Sequence, residues 1–148
     1  MYSSIVVGTD GSKTAASAVE RATELARASG ARLGIVSAYK PVPESRLRRE
    51  RREVPADMQW TVNPREDVEA TLDEAADAAR EAGVKEVQTW AKEGDPANAI
   101  IDVAEEQKAD LVVVGNKGMT GASRFLLGSV PDKVSHYSPT SVLIIQTT

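Results

Sequence analysis

The chain has no cysteine among its 148 residues, which excludes disulfides, thiolate metal sites and a cysteine nucleophile. Histidine occurs once, as His136 in "SHYSP". No acid or nucleophile accompanies it in the sequence, so it reads as a structural residue and not as a general base. There is no excess of positive charge. The net charge of -4 argues against a general nucleic-acid or membrane-surface binder. No apolar run approaches the length of a membrane span, and "MYSSIVVGTDGS" lacks the charged start and long apolar stretch of a signal peptide. The expectation is a cytoplasmic protein with no nucleic acid and no membrane among its partners.

Several phosphate-binding motifs are missing as well. "GTDGSKT" resembles a P-loop at first sight, but Ser12 stands between Gly11 and Lys13 where the motif needs lysine directly after glycine. "GNKGMTG" is not GxGxxG. The HxGH and SGGxDS loops of adenylyl-transferring proteins of comparable architecture are absent. Internal repeats and a second domain are absent too, and the length suits one domain over 1–148.

What the chain does contain is alternation. Short apolar, β-branched runs ("SSIVVGT", "ARLGIVSAY", "VKEVQTWAK", "ADLVVVG", "SVLIIQTT") alternate with amphipathic ones. Ala15, Ala18, Val19, Ala22, Leu25 and Ala26 recur at helical spacing, with Ser12 ahead as a cap and Gly30 as a stop. "NPREDVEATLDEAADAAREAG" opens with Asn63, Pro64 and Glu66 in a capping pattern, and "DPANAIIDVAEEQK" opens with Asp95 and Pro96. "SVPDKVSHY" gives a last helix. The order β-α-β-α-β-α-β-α-β predicts a doubly wound α/β domain with helices on both faces of a parallel sheet. "ADLVVVG" is apolar enough to be buried on both faces, and the less apolar "VKEVQTWAK" belongs nearer an edge. Residues 40–62 fall outside the pattern. Five arginines and three glutamates lie between Glu44 and Glu53, which reads as a solvated insertion or as a basic lid over a phosphate.

In such a sheet, ligands bind beyond the carboxyl ends of the strands where the strand order reverses. For the order 3-2-1-4-5 that point lies between the first and fourth strands, and each ends in a glycine-bearing turn, "VVGTDGS" and "VVVGNKG". Glycines there let backbone amides approach an oxygen closely. Gly128-Ser129, at the start of the last helix, adds unpaired amides suited to phosphate. Ser129 can donate to that phosphate or cap its helix, helped by Asp132. Arg124 and Lys117 either add positive charge to the site or lie in solvent. Asp10 admits three roles: magnesium-mediated contact with phosphate, acceptance of a ribose hydroxyl, or helix capping.

Gly115-x2-Gly118-x9-Gly128-Ser129, with "IVVGTDGS" at the start and "SPTSVLIIQ" at the end, resembles the ATP-binding universal stress proteins over essentially the whole chain. The resemblance implies a five-stranded parallel sheet of the Rossmann-like, adenine nucleotide alpha hydrolase type. It also implies a dimer and binding of ATP or, in some members, cyclic AMP. By that resemblance Gly8, Thr9 and Asp10 lie beside ribose and adenine, and Ala38 offers backbone contacts to adenine. Val114, Gly115, Asn116, Gly118, Gly128, Ser129 and Val130 hold ribose and phosphates, and Asp10 is the residue through which magnesium would act. The expected function is nucleotide sensing or buffering. A slow ATPase and a dimeric adaptor with a vestigial site are the alternatives. No residue is assigned to catalysis. The unprotected apolar run Val142–Gln146 is expected to form an edge strand that pairs two chains into a homodimer.

Overall fold

A computed structural model describes residues 1–40, 65–116 and 127–147. The strands are β1 (Ser4–Gly8), β2 (Arg32–Tyr39), β3 (Val87–Glu93), β4 (Leu111–Gly115) and β5 (Val142–Ile145). The described helices are α1 (Lys13–Ser29), α2 (Arg65–Glu81), α3 (Pro96–Glu106) and α4 (Ser129–Tyr137). All five strands are parallel, in the order β3-β2-β1-β4-β5. The predicted α/β architecture is the one observed.

Side-chain alternation along the strands divides the core into two layers. Ile5 and Val7 of β1, Leu33 and Ile35 of β2 and Val113 of β4 pack under Ala18, Ala22 and Ala26 of α1 and Leu72 and Ala76 of α2. Val6, Val36, Val112 and Val114 point the other way, onto Ile100, Val103 and Ala104 of α3 and Val134 of α4. A strand buried on both faces must be apolar at every position, which is why β1 and β4 read as continuous runs. Burial of each such Val or Ile side chain contributes roughly 1.5–3 kcal/mol. β3 lies at one edge, as its mixed composition implied, and β5 lies at the other.

Local signals end the helices where expected. Ser12 caps α1 by accepting from the Ala15 amide at 3.1 Å, and Asp95 caps α3 by accepting from Asn98 at 3.0 Å. Gly30 closes α1 in the left-handed conformation at φ 70°, which costs glycine nothing. Asn63, Pro64 and the arginine-rich insertion lie outside the described residues.

At the amino ends of the strands, Asp110 ties β4 to β1. Its carboxylate accepts from the amides of Ser3 at 2.9 Å and Ser4 at 3.0 Å. Desolvation pushes this carboxyl up, but the hydrogen bonds from Ser4 and Ser3 outweigh it and hold it below the usual aspartate range. A depressed folded-state value contributes stability above the unfolded pKa, and that contribution is lost as pH falls through the folded value. Asp110→Ala is therefore expected to lower unfolding free energy by about 1–2 kcal/mol near neutrality. The gap from the parent should narrow in strong acid. Urea titrations at about pH 7 and about pH 2.5 check this, and an equal gap at both would show that the carboxylate charge plays no part.

Candidate functional site

The order β3-β2-β1-β4-β5 places the reversal between β1 and β4. Val7 pairs with Val113, so the carboxyl ends of these two strands lie side by side. α1 leaves β1 on one face of the sheet, whereas α4, which follows β4, packs on the other. The chain thus diverges to opposite sides above the strand ends, and a crevice results.

On the β1 side, the backbone after Gly8 is held by its own polar groups. The Thr9 amide donates to Val36 at 2.9 Å, and Thr9 Oγ1 accepts from Gly11 at 3.1 Å. Gly11 turns the chain at φ 82°. Asp10 Oδ1 accepts from the Ser12 amide at 2.9 Å, which closes a turn two residues ahead of itself. Asp10 is therefore not the cap of α1; Ser12 holds that position. Thr9, Asp10 and Ala38 line one cavity of about 230 Å³, together with Ser37, Tyr39 and Lys40 of the β2 end and Asp67, Val68 and Thr71 of α2. Gly8 has a packing reason to be glycine. A Cβ there would overlap the Ile100 side chain of α3, so its small size lets α3 approach β1.

The β4 side is organised by Asn116. Its amide donates to Ile145 at 2.9 Å, and its Oδ1 accepts from the Thr147 amide and hydroxyl, each at 2.9 Å. Its carbonyl accepts from the Gly128 amide at 2.9 Å. That last bond pins the start of α4 to the end of β4, so the contiguous Val114, Gly115 and Asn116 are joined to Gly128, Ser129 and Val130. Gly128, not Ser129, is the N-cap of α4, and it makes no side-chain cap. The capping role weighed for Ser129 is thus not the one observed, since Ser129 is already the first helical residue. The Gly128 amide is used, Pro131 has none, and Asp132 donates to the Gly128 carbonyl at 3.0 Å. The first turn therefore offers the amides of Ser129 and Val130 and the Ser129 hydroxyl, a donor set sized for one phosphate group.

α4 is braced from behind. Lys133 Nζ lies 3.2 Å from Asp95 Oδ2, which links α4 to the cap of α3. The Asn98 amide first, and Lys133 after it, hold the Asp95 carboxyl below its usual range against desolvation. His136 is 70% exposed, with Nε2 4.0 Å from Asp132 Oδ1; it lies on the surface of α4. Gly118, Lys117 and Arg124 fall outside the described residues.

The sequence reading did not find Ser37, Tyr39, Asp67 or Thr71. Helical periodicity locates the buried face of α2, but not which end of the sheet its first turn overhangs. A larger hollow of about 660 Å³ lies at the opposite pole, around Arg27, Arg32, Lys85 and Lys108. α1, α2 and α3 all end there, so their carbonyl ends converge and the basic side chains offset them. That pole is the less favourable one for a phosphate.

Known proteins place this arrangement. The chain is 40% identical over 147 residues to the universal stress protein Rv1636 of Mycobacterium tuberculosis, covering 99% of this chain and 98% of the relative. The crystal structure of a universal stress protein in complex with cAMP superposes with a TM-score of 0.73 at 39% identity, over 99% of this chain and 98% of that one. A universal stress protein from Archaeoglobus fulgidus in complex with dAMP matches with a TM-score of 0.67 at 25% identity, over 98% of each chain. The model of the universal stress protein family matches residues 1–146, and the chain belongs to that family.

Proposed function

We propose that this protein binds an adenine nucleotide, ATP or cyclic AMP, in the crevice between β1 and β4 and acts in the cytoplasm as a nucleotide sensor or buffer. The observation that carries the reading is the bond from the Gly128 amide to the Asn116 carbonyl at 2.9 Å. It holds the first turn of α4 at the strand-order reversal, and the cavity that holds Thr9, Asp10 and Ala38 opens at the neighbouring ends of β1 and β2. A base and ribose fit that cavity, and a phosphate meets Ser129 and Val130. The cAMP and dAMP complexes of the two relatives support the same ligand class. Native mass spectrometry of freshly purified protein should show a co-purified adenine nucleotide. Absence of that mass, together with no heat on titration with ATP or cyclic AMP, would overturn the reading.

Magnesium is a separate matter. Asp10 has one oxygen already engaged by Ser12, and Asp67 is the other carboxylate lining its cavity. No group of three or more His, Cys, Asp or Glu that could hold a metal occurs among the described residues. We assign Asp10 to a ribose hydroxyl; a magnesium ion bridging Asp10 to phosphate, which needs only one or two carboxylates, is the alternative that the following comparison separates. Asp10→Ala is expected to weaken ATP binding by about ten- to a hundredfold, the loss of a hydrogen bond to a charged group. The loss should be equal with magnesium and with chelator, and the melting temperature should change little. A loss seen only with magnesium would return Asp10 to a metal-linked role.

The same proposal includes a homodimer. β5 is an edge strand, and Leu143 and Ile144 are 37% and 36% exposed. Pairing of two such edges, from Val142 to Gln146, removes unpaired backbone groups and apolar surface from water together.

A further inference from the structure

Among the described residues, the cavity at the β1 and β2 ends includes a polar group to which the fold makes no hydrogen bond. Ser37 is 5% exposed, and it lines the cavity. Alternation along β2 turns it to the same face as Ile35, toward α2. The Thr9 amide donates to Val36 at 2.9 Å, so the chain leaving β1 runs beside Ser37, and Ala91 of β3 flanks it on the other side. Among the described residues the Ser37 hydroxyl makes no hydrogen bond, and since no sealed side-chain oxygen there is left without a partner, the hydroxyl is open to the cavity that Ser37 lines. Valine or isoleucine at this position would continue the apolar pattern of the layer. Across the cavity, the Thr71 methyl and hydroxyl lie 3.4 and 3.6 Å from the place a Cβ on Gly11 would occupy. They close the cavity from α2, opposite the strand ends.

We infer that the Ser37 hydroxyl is a ligand-binding group that hydrogen-bonds the polar edge of the nucleobase and orients it between the strand ends and α2. The inference rests on the nucleotide reading of this cavity. A hydroxyl both donates and accepts, so it satisfies either a ring nitrogen or the exocyclic amine of adenine. Because the fold makes no bond to it, its removal should affect the ligand and not stability.

The test is calorimetric titration of the parent and Ser37→Ala with AMP, purine riboside monophosphate (which lacks the amine) and the deaza analogue of each ring nitrogen. Ser37→Ala should melt like the parent and bind AMP about five- to tenfold more weakly, the range expected for one neutral hydrogen bond. That penalty should vanish for the one analogue lacking the bonded atom. Unchanged affinity for AMP, or an equal penalty with every analogue, would overturn the assignment of Ser37 while leaving the nucleotide site standing. A parent protein that binds none of the compounds would overturn the site, and Ser37 with it.

Discussion

Replacing Gly128 by valine is expected to abolish adenine-nucleotide binding and to leave a cooperative, near-normal melting curve. The backbone at Gly128 has φ -63° and ψ 161°, an extended conformation open to any residue. Glycine is therefore not needed there for its conformational freedom. What remains is space: the residue caps α4 with no side chain, next to the only free amides of that first turn. A β-branched side chain would occupy the volume through which a phosphate reaches Ser129 and Val130. Its own amide would still donate to Asn116, so the bond that locates α4 survives. Affinity should fall by at least about a hundredfold, the equivalent of some 2.7 kcal/mol. Titration with ATP and with cyclic AMP measures it. Parent-like affinity in a folded variant would move the phosphate site away from α4.

Ile144→Pro should convert the proposed dimer into a monomer, or into aggregate where the altered edge sticks without register. The ladder shows why this position is informative. The carbonyls of Ser141 and Ile145 accept from the amides of Val112 and Asn116, each at 2.9 Å, so alternate residues of β5 face β4. In an extended strand the residues between them turn their backbone groups to the open edge. The Ile144 amide is thus spare within one chain and available to a second. Proline removes it and crowds the edge without breaking the bonds between β4 and β5. Light scattering should report half the parent mass. A persisting, well-folded dimer would place the interface on another surface.

How much was legible before any coordinates follows from which interactions are local. Gly30 ends α1, Ser12 and Asp95 cap their helices, and Pro96 opens α3, because each signal acts within a few residues of itself. The apolar runs of β1 and β4 announced burial on both faces, because a parallel strand with helices on each side tolerates no polar alternation. Even the location of the crevice was readable, since strand order and connection rules constrain it. Ser129 shows where that reading stops. It was weighed as a cap and lost the position to Gly128, a difference of one residue that propensities do not separate, whereas at α1 Ser12 was already the expected cap.

The sequence alone therefore determined the element order, the parallel doubly wound sheet and the glycine-bearing turns at one crevice, all consequences of short-range periodicity and turn chemistry. Tertiary structure decided the rest. It gave Gly8 a packing reason in Ile100 of α3, made Asn116 the hinge point between β4, β5 and α4, and laid the first turns of α2 over the β2 end. It also turned the Ser37 hydroxyl into the cavity with no hydrogen bond from the described residues. These facts depend on which residues meet across tens of positions in the chain, and contacts at that separation leave no period in the sequence from which to read them.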